Sequence, residues 1–343
     1  MIDVATGVAG PNEAAWGRAV DLLCAAKTVV LACHIGPDGD ALGSMLSLGL
    51  ALERLGTDVV CSWGSETLVL PATYAGLLPG QHLLRPPAEV PQVPDCLVAL
   101  DTASLDRLGL LAPLTGTAKE TLVIDHHATN THFGTFELVD PSSAATAVLV
   151  AELIQRLGVT LDAELAVGLY VGITTDTGSF RFSATTPDVH RLAAQLLATG
   201  IRHDEIARII YDTHDFGYVQ LLGEALSRAT LERDAVGGRG LVWTYTTADE
   251  MTGHGLRMDQ IEGIIDGVRV TAQAEVAVLL KGDLDGTYKV STRSKGAIDM
   301  SLICGQFHGG GHRFAAGFTA HGSVDETMAQ LRAALSAAVP LSG

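Results

Sequence analysis

The sequence predicts an α/β protein of two domains: a mostly parallel sheet with flanking helices over residues 1–195, a helical connector over 196–232, and a smaller α/β domain over 233–343. Three observations lead there. The 343 residues are roughly two domains at ~150 residues each. Hydrophobic residues make up 47% and charged residues only 18%, the balance of a chain with a large core rather than a disordered one. Short β-branched apolar runs also alternate with helical patterns, as parallel strands covered by helices do.

Taken in order, residues 28–33 (TVVLAC), 58–63 (DVVCSW), 96–100 (CLVAL) and 121–124 (TLVI) read as strands buried on both faces. Between the first two, residues 41–55 place Leu42, Met45, Leu46, Gly49 and Leu52 at helical spacing and stop at Gly56. Asp140-Pro141-Ser142-Ser143 predicts a helix over 142–157 ending at Gly158. The stretch 164–173 is apolar and helix-like, and 81–94, with four prolines, reads as a plain loop. Helical segments at 188–199, 203–213 and 216–231 form the connector. Beyond it come strands at 241–246, 274–280 and 287–292, a helix-like 258–269 and a last helix from about Val324.

The first twenty residues have no basic region followed by an unbroken apolar core, so no secretory leader is expected. No membrane span is expected either, because the richest apolar stretch, 41–55, is interrupted well short of ~20 residues. Cys24, Cys33, Cys61, Cys96 and Cys304 contain no C-x-x-C pair and read as reduced thiols of a cytoplasmic protein. The net charge of −17 argues against a long nucleic acid partner, since duplexes and long strands are held by rows of Lys and Arg. Aromatic residues, at 5%, are too few for a base-stacking track.

The chemistry concentrates at the predicted strand ends. His34-Ile35-Gly36-Pro37-Asp38-Gly39-Asp40 follows the first strand, and its glycines and proline force a tight turn on which His34, Asp38 and Asp40 converge. Alone, the segment reads equally as a plain turn with Asp40 as a helix cap. Repetition shifts the balance: Asp101 ends the third strand, Asp125-His126-His127 the fourth, and Asp176 lies in a polar run after 164–173. Carboxylates so gathered cannot all stay ionised without cations, so a metal centre is the economical reading. The inventory suits two divalent ions sharing a carboxylate. Imidazoles among the donors favour Mn²⁺ over Mg²⁺.

At these residues the chain resembles the DHH phosphoesterase superfamily, with Asp125-His126-His127 as the eponymous triplet. His34-x-x-x-Asp38-x-Asp40 is similar to the family's first motif, Asp101 to its second and Asp176 to its fourth. The resemblance implies one ion on His34, Asp38 and Asp101, and a second on Asp40, Asp101, His126 and Asp176, with Asp101 bridging. It also implies that Asp125 orients His126 and leaves His127 to contact the scissile phosphate.

The second cluster is His308-Gly309-Gly310-Gly311-His312-Arg313. An esterase oxyanion loop would need a G-x-S-x-G elbow, which the chain lacks. The three glycines argue against a helix carrying His308 and His312 as metal ligands. A bare flexible loop and a loop whose backbone N–H groups meet a phosphate both stay open. With Ser291-Thr292-Arg293-Ser294, the cluster resembles the DHHA1 domain and, more narrowly, the NrnA-like group of small cytoplasmic enzymes. That group hydrolyses very short oligoribonucleotides, 3′-phosphoadenosine 5′-phosphate (pAp) and linear or cyclic dinucleotides such as cyclic di-AMP.

The resemblance implies substrate contacts at Arg293, Ser294, Gly309, Gly310, Gly311 and His312. Arg293 would hold a terminal phosphate, and His312 would lie near the scissile bond or ribose. Catalytic roles then fall to His127, His312 and Asp125. Ser142, Ser143 and Thr146 could touch substrate, but helix capping explains the first two and helix packing the third; for Arg181 a phosphate contact and an ordinary surface role both stay open. The partners expected are pAp, dinucleotides and RNA of about two to five nucleotides. A homodimer is compatible with the sheet and connector. The rivals are a RecJ-like single-strand exonuclease, a family II pyrophosphatase and a non-catalytic nucleotide-sensing module. The first calls for a basic groove, the second for a different second domain, and the third for a lost ligand.

Overall fold

The computed structural model describes residues 10–341 and divides into two compact units at the Asp212/Thr213 boundary. Residues 1–9 of the segment read for a leader lie outside the described residues. Of the stretch read as a connector, the first helices belong to the first unit and Phe216–Ser227 to the second.

In the first unit, β1 (Thr28–Cys33), β2 (Asp58–Trp63), β3 (Cys96–Leu100), β4 (Glu120–Asp125) and β5 (Phe136–Val139) form one parallel sheet in the order β2-β1-β3-β4-β5. The chain leaves β1 toward β2 and returns on its other side as β3, so the order reverses between β1 and β3. Ligand sites of open α/β sheets form at such a reversal, beyond the carboxyl ends of the strands. The helices of this unit are α1 (Glu13–Ala25), α2 (Gly39–Arg54), α3 (Ala72–Ala75), α4 (Thr146–Arg156), α5 (Ala163–Asp176), α6 (Pro187–Ala198) and α7 (His203–Tyr211).

Helices α1, α2, α4 and α5 bury one sheet face, with Leu31, Cys33, Leu100 and Ile124 pointing into that core. The other face meets a run of 3₁₀ turns, Leu105–Gly116, through Leu108, Leu111 and Leu114. Pro113 and the left-handed Gly109 (φ 53°) keep that run from becoming an α-helix. Helices α2 and α5 pack unusually closely and antiparallel. A Cβ on Gly43 would stand 2.2 Å from the Gly168 carbonyl oxygen, and one on Gly39 would stand 2.7 Å from Thr175. The small-residue contact thereby brings the start of α2 against the end of α5.

Three predicted elements of this unit differ. The helix expected from 142 begins at Thr146, because Asp140 accepts from Ser142 N–H and Oγ–H and holds that stretch in a turn. Ser142 and Ser143 therefore cap no helix. The helix expected over 164–173 continues to Asp176, which is its last residue rather than part of a following loop. The 81–94 loop contains two short 3₁₀ turns. Helix α1 and the short strand β5 had no expectation attached.

In the second unit, β6 (Thr230–Glu232), β7 (Leu241–Thr246), β8 (Val276–Gly282), β9 (Tyr288–Ser294), β10 (Gly310–His312) and β11 (Ala315–Ala320) form a sheet in the order β10-β11-β9-β8-β7-β6. Only β7 and β8 run parallel. The segment expected to be helical to 231 ends at Ser227 and gives way to β6, and 258–269 splits into a 3₁₀ turn and a short helix. The helices are α8 (Phe216–Ser227), α9 (Ala235–Gly238), α10 (Ala248–Gly253), α11 (Ile264–Arg269), α12 (Met300–Gly305) and α13 (Val324–Ala337). α12 and α13 pack on the face of Val276, Val278 and Leu280, while α8, α10 and α11 pack on that of Leu279 and Ala277. No helix among the described residues is long and apolar enough to cross a membrane.

Candidate metal centre

The parallel register sets the site. Cys33 of β1 pairs with Leu100 of β3, and Leu100 with Ile124 of β4, so His34, Asp101 and Asp125 each lie one residue past a single row. Asp101 turns there with φ 53°, a left-handed conformation that costs a non-glycine residue ~1–2 kcal/mol. Its N–H donates to the Ile124 carbonyl at 2.9 Å, which holds the turn in place.

The following turn sorts the two acids of the first motif. Asp38, half exposed, caps α2 by accepting from Asp40 N–H and Ala41 N–H. Asp40 is fully buried and instead receives the start of α4: Thr146 N–H and Ala147 N–H donate to it at 2.6 and 2.9 Å, and Ser44 Oγ–H at 3.0 Å. Thr146 Oγ–H donates to Asp101 Oδ1 at 3.0 Å, so Thr146 supports the centre rather than merely packing.

All six sequence-predicted ligands come together. His34 Nε2 lies 3.6 Å from Asp101 Oδ2 and 3.8 Å from Asp38 Oδ2. On the other side, His126 Nε2 lies 3.6 Å from Asp101 Oδ1, 3.8 Å from Asp40 Oδ2 and 3.1 Å from Asp176 Oδ2. The two oxygens of Asp101 thus face two separate groups of donors. An ion about 2.1 Å from each donor in octahedral geometry would set neighbouring donors ~3 Å apart. The observed spacings lie at or slightly above that value, and oxygen with imidazole nitrogen is the donor set of Mg²⁺, Mn²⁺ and related ions. The residues fit the group.

Charge supports the same conclusion. Burial, with Asp101 and Asp176 as neighbours, pushes Asp40 well above the usual carboxylate range. Burial, with Asp38 as the main charged neighbour, pushes Asp176 up to about 6. Asp101 goes the other way: the hydrogen bond from His34 and the nearby His127 and His126 outweigh its burial and hold it below the carboxylate range. The hydrogen bond to Asp176 raises His126 well above an ordinary imidazole despite its burial. Acids and imidazoles share protons here because the buried negative charge needs a counterion.

One expected role is corrected. Asp125 does not orient His126, whose Nδ1 lies 3.1 Å from the Ser143 carbonyl. It accepts from His127 Nδ1 at 2.7 Å through one oxygen and from Asn130 Nδ2 at 2.6 Å through the other. The last residue of β4 is buried with its side chain toward the residue two further on, and a backbone carbonyl takes the place next to His126. Sequence reading also missed Asn130, Ser44 and Arg107, whose Nη2 lies 2.9 Å from His34 Nδ1. None follows a motif. Arg107 is brought in from far along the chain, whereas Asn130 lies five residues past Asp125 and Ser44 one helix turn past Asp40. His82, His132 and His254 each pair with one glutamate.

In the second unit, Arg293 is half buried near the end of β9, between Ala277 of β8 and Ala315 of β11. Its Nη1 donates to the Thr292 carbonyl at 3.0 Å, and burial pulls its pKa below the ordinary guanidinium value. Ser294 is not beside it. Its buried hydroxyl donates to Glu275 Oε1 at 2.7 Å and lies near the N–H groups of Gly296 and Ile298. The glycine segment is a strand, not a loop: Gly310, Gly311 and His312 form β10, a sheet edge that turns back at Arg313-Phe314 into β11. Glycine is required at Gly309, where a Cβ would stand 2.2 Å from the Gly317 carbonyl oxygen, and at Gly311, with φ 129°.

A parallel sheet that gathers His34, Asp101 and an Asp-His-His triplet at its reversal, followed by a mixed sheet with a glycine-rich edge, defines a class. The chain belongs to the DHH family, matching the model of its N-terminal domain over residues 28–173 and that of the DHHA1 domain over 242–339. Over 297 residues it is 38% identical to the bifunctional oligoribonuclease and PAP phosphatase NrnA of Thermus thermophilus, spanning 86% of this chain and 84% of that one. Among solved structures, an exopolyphosphatase-related protein from Bacteroides fragilis superposes with a TM-score of 0.83 at 24% identity, over 94% of this chain and 96% of that one. RecJ of Thermus thermophilus in complex with Mn²⁺ superposes at 0.55 and 16% identity, over 96% of this chain but 55% of that one. These two show the fold.

Proposed function

We propose that the chain is a metal-dependent phosphodiesterase and phosphatase of short nucleotides: oligoribonucleotides of a few residues, pAp, and linear or cyclic dinucleotides such as cyclic di-AMP. The observation that carries this reading is Asp101, whose two oxygens face His34 and His126 at the same 3.6 Å. His34, Asp38 and Asp101 would hold one divalent ion, and Asp40, Asp101, His126 and Asp176 a second, with Mn²⁺ the best match to mixed imidazole and carboxylate donors. The chemistry those ions would supply is a water of lowered pKa and neutralised charge on the phosphoryl oxygens.

The chain's own residues do the rest. Thr146, Ser44 and the start of α4 fix the Asp101 and Asp40 carboxylates before anything binds. Asp125, anchored by Asn130, holds His127 at Nδ1, and the His127 ring would contact a phosphoryl oxygen or return a proton to the departing ribose oxygen. Arg293 is suited to a phosphate because its planar guanidinium pairs with two oxygens at once. Gly309–His312 offers backbone and one imidazole at a sheet edge. Support for nucleotide substrates comes from the relative named oligoribonuclease and PAP phosphatase, which this chain matches over most of both lengths.

The test is a rate comparison with Mn²⁺ on pAp, pApA, cyclic di-AMP and RNA from two to about twenty nucleotides. Turnover of the short substrates, abolished by chelator, is expected. No turnover of any, or turnover indifferent to chelator, would overturn the reading.

A further inference from the structure

One half-buried face of β9 carries two cations, Arg293, to which the proposed chemistry gives a phosphate, and Lys289, to which it gives nothing. Successive residues on a strand alternate faces, so Lys289, Ser291 and Arg293 share one face, with Val290 and Thr292 on the other. Across the ladder, Lys289 pairs with Lys281 of β8 and with Thr319 of β11, while Ser291 pairs with Leu279 and Gly317. Two lysines therefore stand directly opposite each other, an arrangement that ordinarily destabilises a sheet.

They are not equivalent. Lys281 is buried, its pKa is pulled down by that burial, and its ammonium is paired to Glu262. Lys289 is half buried, and its Nζ donates to Thr319 Oγ1 at 3.1 Å, with no carboxylate in ion-pair contact among the described residues. Arg293 likewise has no ion pair there; Asp266, which faces it, is engaged by Arg269 at 3.3 Å. Gly317 leaves the space over Ser291 without a side chain. Lys289 and Arg293 thus mark the two ends of a strip five residues long, about 13 Å between backbones. Hydroxyls of Ser291 and Thr319 lie along it, and its unpaired charge is positive.

We propose that Lys289, with Thr319 and Ser291, forms a second phosphate subsite that selects for substrates longer than a dinucleotide. Arg293 would hold one phosphate and Lys289 a further one along the chain, where it also relieves the repulsion between Lys289 and Lys281. The inference rests on the short-nucleotide reading above. It adds that pAp, which has no further phosphate, makes no use of this subsite.

The experiment compares the full chain with K289Q and K289R, with Mn²⁺, on pAp and on 5′-phosphorylated triadenylate. In K289Q, kcat/KM on the trinucleotide should fall about tenfold further than on pAp, through KM, as expected for one lost charged hydrogen bond. K289R should restore most of it. Equal losses on both substrates, or no loss on the trinucleotide, would overturn the subsite. Calorimetric titration of chelator-treated protein with the same two nucleotides gives a second readout that does not depend on turnover. K289Q should weaken trinucleotide binding selectively, and unchanged affinity would again refute the proposal. A wild-type protein that hydrolyses neither nucleotide would refute the short-nucleotide reading instead, and the calorimetry would still decide the subsite.

Discussion

Replacing Gly172 with alanine tests how far the centre is set by helix packing. Gly172 lies inside α5, where alanine is ordinarily favoured over glycine by about 0.8–1.0 kcal/mol. Here the new Cβ would stand 2.5 Å from Asp40 Oδ1 and 2.7 Å from the Ala147 Cβ, about 1 Å inside ordinary contact distance. Asp40 has little room to withdraw, because Thr146 N–H and Ala147 N–H hold it at 2.6 and 2.9 Å. Overpacking of a tight core costs about 1–3 kcal/mol, and stretching a hydrogen bond to a charged group forfeits part of a further ~1.5–3 kcal/mol. The substitution should therefore destabilise the protein by ~1 kcal/mol or more, where helix propensity alone promises a gain. Because Asp40 is one of the expected ligands, Mn²⁺ affinity should fall at least about tenfold, equivalent to 1.4 kcal/mol. Urea denaturation and Mn²⁺ titration calorimetry read the two effects. A Gly172→Ala protein that is more stable than wild type and binds Mn²⁺ unchanged would refute the reasoning.

Metal affinity should also depend on pH. Asp176, pushed up to about 6 by its burial and the Asp38 charge, and Asp40, raised by burial and Asp101, must shed protons before they bind a cation. Affinity is expected to fall as pH drops through about 6, with protons released on binding; a flat affinity from about pH 5 to 7.5 would contradict it. Substituting Arg293 with alanine should leave metal content intact and weaken nucleotide binding by about 1.5–3 kcal/mol, and wild-type kinetics would show the phosphate contact to be elsewhere. Finally, the −17 charge predicts that kcat/KM falls steeply beyond about five nucleotides, with a salt slope of roughly one to three phosphates. Equal efficiency on a twenty-nucleotide strand would favour a RecJ-like activity.

Unlike β5, a half-buried edge strand that gave no such signal, the other four strands of the parallel sheet were legible because they are largely buried on both faces and so read as short apolar runs. That same feature made His34, Asp101 and Asp125 visible, since polar residues just past buried strands at matching register share an edge. Less legible was everything decided by a partner distant in sequence. Asp40 could be read as a cap, yet it caps α4, more than a hundred residues away, and no local pattern announces that. The start of α4 at Thr146 rather than Ser142 follows from the turn at Asp140, which competes with the helix for the Ser142 N–H. The pairing of Asp125 with His127 instead of His126 depends on Asn130 and the Ser143 carbonyl. The glycine segment of β10 reads as a loop because it has no side chains to show the period of a strand; its pairing with β11 makes it one.

The central claim is that Asp101 serves two ions at once, and metal content measures it most directly. Purified wild-type, His34→Ala and Asp101→Ala proteins, each dialysed against Mn²⁺ and then metal-free buffer, would be analysed by elemental mass spectrometry alongside circular dichroism to confirm folding. Two ions per chain are expected in the wild type, and about one in His34→Ala, because the second set of donors survives. Close to none are expected in Asp101→Ala. A folded Asp101→Ala protein that retains one or two tightly bound ions would contradict the shared carboxylate and, with it, the proposed two-ion centre.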